Sequence, residues 1–240
     1  MGKVWYIIYI TALVLFFLTL IFGSRAQKKI AKVINLYNKA VSFCGATAQE
    51  FSLILLSKAN ITNVEIVEVN GKTTDCYDSI NKILKLSNET MNSTSLASLG
   101  VCAHEIGHAI QDKEKNFLFK ARVWILPFFN LIAKLFFPLL MVGSLLSFSF
   151  NMETLGLIVL WFSIISYGSA FVFYLLTTPL ESNASKKVVA LLHDCDFLTK
   201  EEIVALSQVL NVEISMYLSV LTDSFFYFIK FLSYSQAFEK

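Results

Sequence analysis

The 240-residue sequence predicts a mainly α membrane protein with a small β element and three or four transmembrane helices. Three observations carry this. Hydrophobic residues make up 55% of the chain and 22 are Phe, more than a soluble globular chain carries. Residues 4–22 form an uncharged apolar run, and two more apolar stretches follow after residue 123. Between them lies a polar segment that alternates between helical and strand-like patterning.

The first run is 19 residues long, about what a helix needs to cross the hydrocarbon core, and the residues after Phe22 make a poor cleavage site. Residues 1–23 therefore read as an uncleaved anchor. Arg25, Lys28, Lys29 and Lys32 follow it against a single Lys3 before it, which places residues 24–122 on the cytoplasmic side of the plasma membrane. The four N-x-S/T sequences, at Asn60, Asn88, Asn92 and Asn183, then carry no glycan. A net charge of +2 gives no reason to expect nucleic acid. Cys44, Cys76, Cys102 and Cys195 are too scattered for a zinc knuckle or a disulfide framework.

Within the polar segment, apolar spacing predicts a helix over about 26–43, ended by Gly45. Thr47-x-x-Glu50 predicts a capping box for a helix through Lys58. Residues 64–69 and 80–86 predict two short strands joined through Asp75-Cys76-Tyr77-Asp78. A helix follows over about 96–111. Beyond it, Pro127, Asn130, Lys134 and Pro138 suggest an interfacial segment over 123–134, then a span at 135–150 and another at 155–176. This hairpin, residues 123–177, returns the chain to the side it left. Residues 178–240 form a C-terminal helical region whose last helix, 200–235, carries Glu213, Asp223 and Lys230. Those charges favour packing on the domain or lying along the membrane over a fourth span.

The chemistry sits in His104-Glu105-Ile106-Gly107-His108. Histidines four residues apart on a helix project from one face and can bind one Zn²⁺, while the glutamate between them flanks the pair as a general base. Two of the three histidines of the chain are in this motif, on a helix otherwise small and apolar, where such polar groups would be costly without a metal. A catalytic zinc needs a third ligand. Position 114, where one class of zinc enzymes has a histidine, is Glu114. His193 reads as a lone surface histidine, and Glu181, just after the hairpin, is the better candidate, with Ser185 one turn on as its neighbour. Cys102 reads as packing. Tyr77 is a candidate for stabilising an oxyanion, against the plainer reading of a strand-end aromatic. An extended substrate could pair with a strand edge at Ile83–Ser87.

With these residues in hand, the chain resembles the bacterial membrane neutral zinc metallopeptidases of the YugP type. The resemblance rests on three motifs in order: Asp75-Cys76-Tyr77-Asp78 with Lys85-Leu86-Ser87; Asn92 to Ser95 leading into Ala103-His104-Glu105-Ile106-Gly107-His108-Ala109-Ile110-Gln111; and Thr178-Pro179-Leu180-Glu181-Ser182-Asn183-Ala184-Ser185. Cys76, Ser79 and Thr94 stand where that family usually has histidine, proline and arginine. The resemblance implies a zincin-like HExxH domain with one catalytic Zn²⁺ on His104, His108 and Glu181. It further implies a peptide or protein substrate hydrolysed by zinc-activated water with Glu105 as base, next to the lipid bilayer. The rival expectation is a membrane scaffold that keeps zinc for structure alone.

Overall fold

The computed structural model describes residues 27–71, 75–150 and 152–235, with positions 10, 14, 17, 21, 24 and 25 of the N-terminal stretch. The span expected at 4–22 lies almost wholly outside the described residues. The described chain is mainly helical around one small sheet. In order, its elements are α1 (described over residues 27–38), α2 (Ala48–Lys58), β1 (Glu65–Val69), β2 (Cys76–Asp78), β3 (Ile83–Ser87), α3 (Asn88–Met91), α4 (Leu96–Lys113), α5 (Phe117–Phe148), α6 (Glu153–His193) and α7 (Lys200–Ser235). Two compact units emerge. One combines Gln27–Val123 with Pro179–Met216; the other combines Met1–Ala26, Trp124–Thr178 and Tyr217–Lys240, so the boundary falls inside α5, α6 and α7.

In the first unit α1 stops at residue 38, short of the expected 43, because the next backbone finds a partner. Val41 bridges Ser95, Ser42 N–H donates to Thr94 O at 2.9 Å, and Leu96 N–H donates to Ala40 O at 2.8 Å. Gly45, at φ +64°, then closes the turn into α2 in a conformation that L side chains resist. The capping box at Thr47 and Glu50 is formed as expected. A second one, Thr199 with Glu202, starts α7.

The sheet departs from the two-strand expectation. Asp78 accepts the N–H groups of Ile80 and Asn81, both at 3.1 Å, and Lys82 turns the chain at φ +57°, so residues 76–78 fold back as a strand of their own. The order is β1-β3-β2: β3 pairs in parallel with β1 (Glu65 opposite Ile83) and antiparallel with β2 (Tyr77 opposite Leu84). β3 is thus the central strand. The free edge expected at Ile83–Ser87 does not exist; the edges are β1 and β2.

Around the sheet, Phe51 and Leu55 of α2, Leu84 and Leu86 of β3, Leu99 and Ile106 of α4, Leu192 of α6 and Leu206 of α7 form one buried core. Each such side chain contributes about 1.5–3 kcal/mol of burial free energy. The first half of α7 is therefore packed on the domain. A Cβ at Gly100 would meet Val209 Cγ1 at 2.5 Å, so α4 and α7 touch through a position that admits no side chain.

In the second unit α5 runs unbroken through Pro127 and Pro138, where an interfacial break was expected, and α6 runs through Pro179. Hydroxyls bond to backbone carbonyls near Pro138 and Pro179. Thr177 and Thr178 donate to Phe173 O and Tyr174 O at 3.0 and 2.7 Å, and Ser163 donates across to Phe136 O at 3.2 Å. Gly143 and Gly156 let the hairpin close; a Cβ at Gly143 would lie 2.8 Å from Leu160 Cγ. Large apolar side chains such as Phe128, Leu131 and Phe137 point outward. Among the described residues α5, α6 and α7 are long and apolar enough to cross a membrane.

Candidate metal centre

Helix α4 has its N-cap at Ser95, whose side chain accepts the Ser98 N–H at 3.2 Å, and it places His104 and His108 one turn apart on a buried face. α6 crosses that face so closely that a Cβ on Gly107 would sit 2.5 Å from the Ala184 carbonyl oxygen. This contact brings Glu181, fully buried, to the histidines. Its Oε2 lies 2.9 Å from His104 Nε2 and 3.1 Å from His108 Nε2. The other oxygen, Oε1, faces the guanidinium of Arg122, which enters from the first turns of α5. Because α6 is continuous through Pro179, Glu181 sits within a helix.

The hydrogen bonds around His108 assign the role of its outer nitrogen. The Leu180 carbonyl can only accept, so Gln111, which reaches it at 2.9 Å, must present its amide nitrogen there, donating also to Asn183 Oδ1 at 2.9 Å. Its oxygen is left to face His108 Nδ1 at 3.0 Å. His108 then carries its proton on Nδ1, and in the neutral ring the Nε2 lone pair points at a carboxylate oxygen. Two acceptors held together in this way repel unless a proton or a metal ion lies between them. His104 Nδ1 is likewise engaged, 3.2 Å from Ser185 Oγ, the neighbour expected one turn after Glu181.

His104, His108 and Glu181 form a group that could hold a metal ion, their ligand atoms all lying within 4.8 Å of one another. A tetrahedral zinc with bonds near 2.1 Å sets its ligand atoms roughly 3.4 Å apart, close to the separations from Glu181 Oε2. Two imidazole nitrogens and one carboxylate oxygen are also the donor set of a catalytic zinc with an open position.

Glu105 lies on the adjacent face, half-buried and outside the ligand group. Its Oε2 accepts the main-chain N–H of Tyr77 at 2.8 Å, so β2 is tied to the helix at the residue between the histidines. The Tyr77 hydroxyl points elsewhere and donates to Asp112 Oδ2 at 2.7 Å, while Lys82 pairs with the same carboxylate. Burial, the hydrogen bond to Asp112 and its charge push the Tyr77 phenol well above the ordinary tyrosine range. The Tyr77 ring stacks on Phe119, which stacks on His108 at 5.5 Å between centroids. His193 ends α6 as an exposed residue outside the group. Cys102 is fully buried and its thiol is pushed up to about 12 by desolvation, an inert packing residue.

Three partners of the site had no role in the sequence reading. Gln111 was legible in principle, being three residues after His108 on the same helix. Asp112 follows Glu105 by seven, again one face. Arg122 had no such signal, since nothing in the spacing of α5 relates it to Glu181.

The chain matches the model of the family described as "Putative neutral zinc metallopeptidase" over residues 11–236. It is 28% identical over 207 residues to the "Putative membrane protease YugP" of Bacillus subtilis (strain 168), an alignment covering 86% of this chain and 88% of that protein. No solved structure matches it. The family match runs unbroken from before the HExxH helix to beyond Glu181, and the chain belongs to this zinc metallopeptidase family.

Proposed function

We propose that the protein is a membrane-embedded zinc-dependent endopeptidase with its site on the cytoplasmic side of the plasma membrane. In this reading His104, His108 and Glu181 are the ligands and Glu105 is the general base. The observation that carries it is the convergence of three buried acceptors on one point, with the proton of His108 held away from that point by Gln111. When bound, zinc supplies the Lewis acidity that lowers the pKa of water and polarises a scissile carbonyl.

The rest is the work of the chain. Ser185 and Gln111 fix the two imidazoles by their outer nitrogens, and Arg122 engages the far oxygen of Glu181, so the carboxylate offers one oxygen to the centre. Glu105 is oriented by the Tyr77 N–H through Oε2, and its Oε1 takes the proton of the attacking water and delivers it to the departing amine. Core residues around α4 hold these groups on rigid helices. The cytoplasmic placement rests on the basic residues after position 24.

Full-length protein purified with and without Glu105→Gln tests the reading. Both should carry one zinc per chain, and the variant should lose cleavage by about 10²- to 10⁴-fold, measured on peptide libraries and by product profiles of cell extracts. Equal zinc with identical product profiles would leave a zinc-stabilised scaffold as the answer.

A further inference from the structure

Away from the ligand group, the unit that contains it holds a cavity of about 340 Å³ whose walls include Lys82, Lys113, Lys115 and Lys120 together with Tyr77 and Asp112. That volume is within the range of small-molecule sites. Four ammonium groups against one carboxylate leave the lining with an excess of three positive charges. Lys82 pairs with Asp112, and Lys113 donates to Ala59 O at 2.7 Å. Among the described residues, no carboxylate lies within ion-pair distance of Lys115 or Lys120.

The backbone gives a second, independent observation. Among the described residues the non-glycine positions with left-handed φ are Asn60, Lys82 and Lys115, and two of these are lysines on this wall, at φ +57° and +56°. Glycine or asparagine adopts that conformation with least steric cost. Both lysines are fixed by the fold: Lys115 closes α4, its N–H donating to Asp112 O at 2.9 Å and the Asn116 N–H to Gln111 O at 3.0 Å, and Lys82 closes the turn between β2 and β3, so two of the cations stand on defined backbone on this wall.

Lys115 and Lys120 bracket the start of α5, a helix that begins at Phe117 and contains a stretch apolar enough to cross a membrane. Phe117 is 80% exposed and Leu118 50% exposed. Long cationic stems beside exposed apolar side chains, on the helix that carries such a stretch, suit the boundary between acyl chains and phosphates, where a soluble peptide would leave Phe117 and Leu118 in water.

We propose that this cavity binds the phosphate headgroup of an anionic phospholipid, with Lys115 and Lys120 as its main cations. Lys82, from the turn between β2 and β3, and Lys113, the last residue of α4, add to the field. The site shares Tyr77 and Asp112 with the network beside Glu105, so its occupant would sit next to β2.

Full-length protein in detergent, titrated with dioleoylphosphatidylglycerol or dioleoylphosphatidylcholine and followed by native mass spectrometry and thermal unfolding, tests this without reference to peptidase activity. Saturable binding of phosphatidylglycerol but not phosphatidylcholine is expected. Lys115→Asn with Lys120→Gln should weaken it about 30-fold, the loss of two interfacial cations. Asparagine keeps the left-handed turn, and the comparison of the two lipids needs no variant. Equal binding of both lipids, or unchanged phosphatidylglycerol binding by the double variant, would overturn the proposal. So would displacement of phosphatidylglycerol by equimolar inorganic phosphate or glycerol 3-phosphate, which would make the ligand a soluble phosphate. Displacement by a glutamate-rich peptide would overturn it in favour of an acidic-substrate pocket.

Discussion

On the face of α4 turned to α6, His104, Gly107, His108 and Gln111 follow one another at helical spacing, and all four are buried. On the face turned to β2, Glu105 and Asp112 recur at the same spacing but stay half-exposed, tied to one strand residue, Tyr77, by its N–H and its hydroxyl. The first face meets its neighbour backbone to backbone with no space for a methyl group. The second meets its neighbour through polar contacts beside a cavity. In the proposed function the difference follows from two tasks. Holding a cation demands fixed, dehydrated donors, because each unpaired buried acceptor is costly. Moving a proton to and from water demands a carboxylate that substrate and solvent can reach.

If the two faces are specialised in this way, a change on the α6 face should act on metal binding first. Gly107→Ala is the most severe. The new methyl would press on the Ala184 carbonyl oxygen at 2.5 Å and its carbon at 2.9 Å, and neither is the end of a flexible side chain. α6 must move, taking Glu181 and Ser185 with it. We expect zinc content to fall from one per chain to near zero and stability to drop by about 3 kcal/mol, read by metal analysis and thermal unfolding. A Gly107→Ala protein with full zinc would break the close-packing account of this face.

Gln111→Ala should act in the same direction but less. It removes the acceptor on His108 Nδ1 and leaves Leu180 O and Asn183 Oδ1 without their donor, while all three candidate ligands remain. Zinc affinity should fall roughly 10- to 100-fold in chelator competition. Unchanged affinity would mean that the His108 tautomer is set by something other than this amide.

How legible these faces were differs. The ligand face announces itself, because histidines at i and i+4 on an apolar helix have few other uses, and because a hairpin returning the chain makes Glu181 available. The β2 face was hidden. Alternation in 80–86 marks a strand but not which strands lie beside it, and the turn that makes 76–78 a separate strand depends on Asp78, a turn former that reads equally as part of a linker, and on a left-handed Lys82, which is no turn signal. Prolines 127 and 138 read as a break because a proline removes a backbone donor. In the structure α5 runs on through both, and hydroxyls such as that of Ser163, on Phe136 O, bond to neighbouring carbonyls that only packed helices bring within reach. Arg122 belongs with these: its carboxylate partner lies 59 positions away.

Tyr77→Phe is the smallest perturbation and the sharpest on the β2 face. It leaves the main-chain N–H to Glu105 in place and deletes only the hydroxyl bond to Asp112, which retains Lys82. One hydrogen bond to a carboxylate at a half-buried position should cost about 1 kcal/mol of stability, with zinc content unchanged. A tyrosine hydroxyl that stabilised an oxyanion would take roughly 10²- to 10³-fold of turnover with it when removed. A tyrosine that positions Glu105 through its backbone should lose less than about 10-fold in kcat. The phenol is committed to Asp112 and its pKa is raised, so it stays protonated and donates to that carboxylate across the neutral range. We expect the smaller loss. A 10²-fold fall in kcat with full zinc would mean that the hydroxyl leaves Asp112 for the substrate, and the β2 face would then supply both the base and an oxyanion donor.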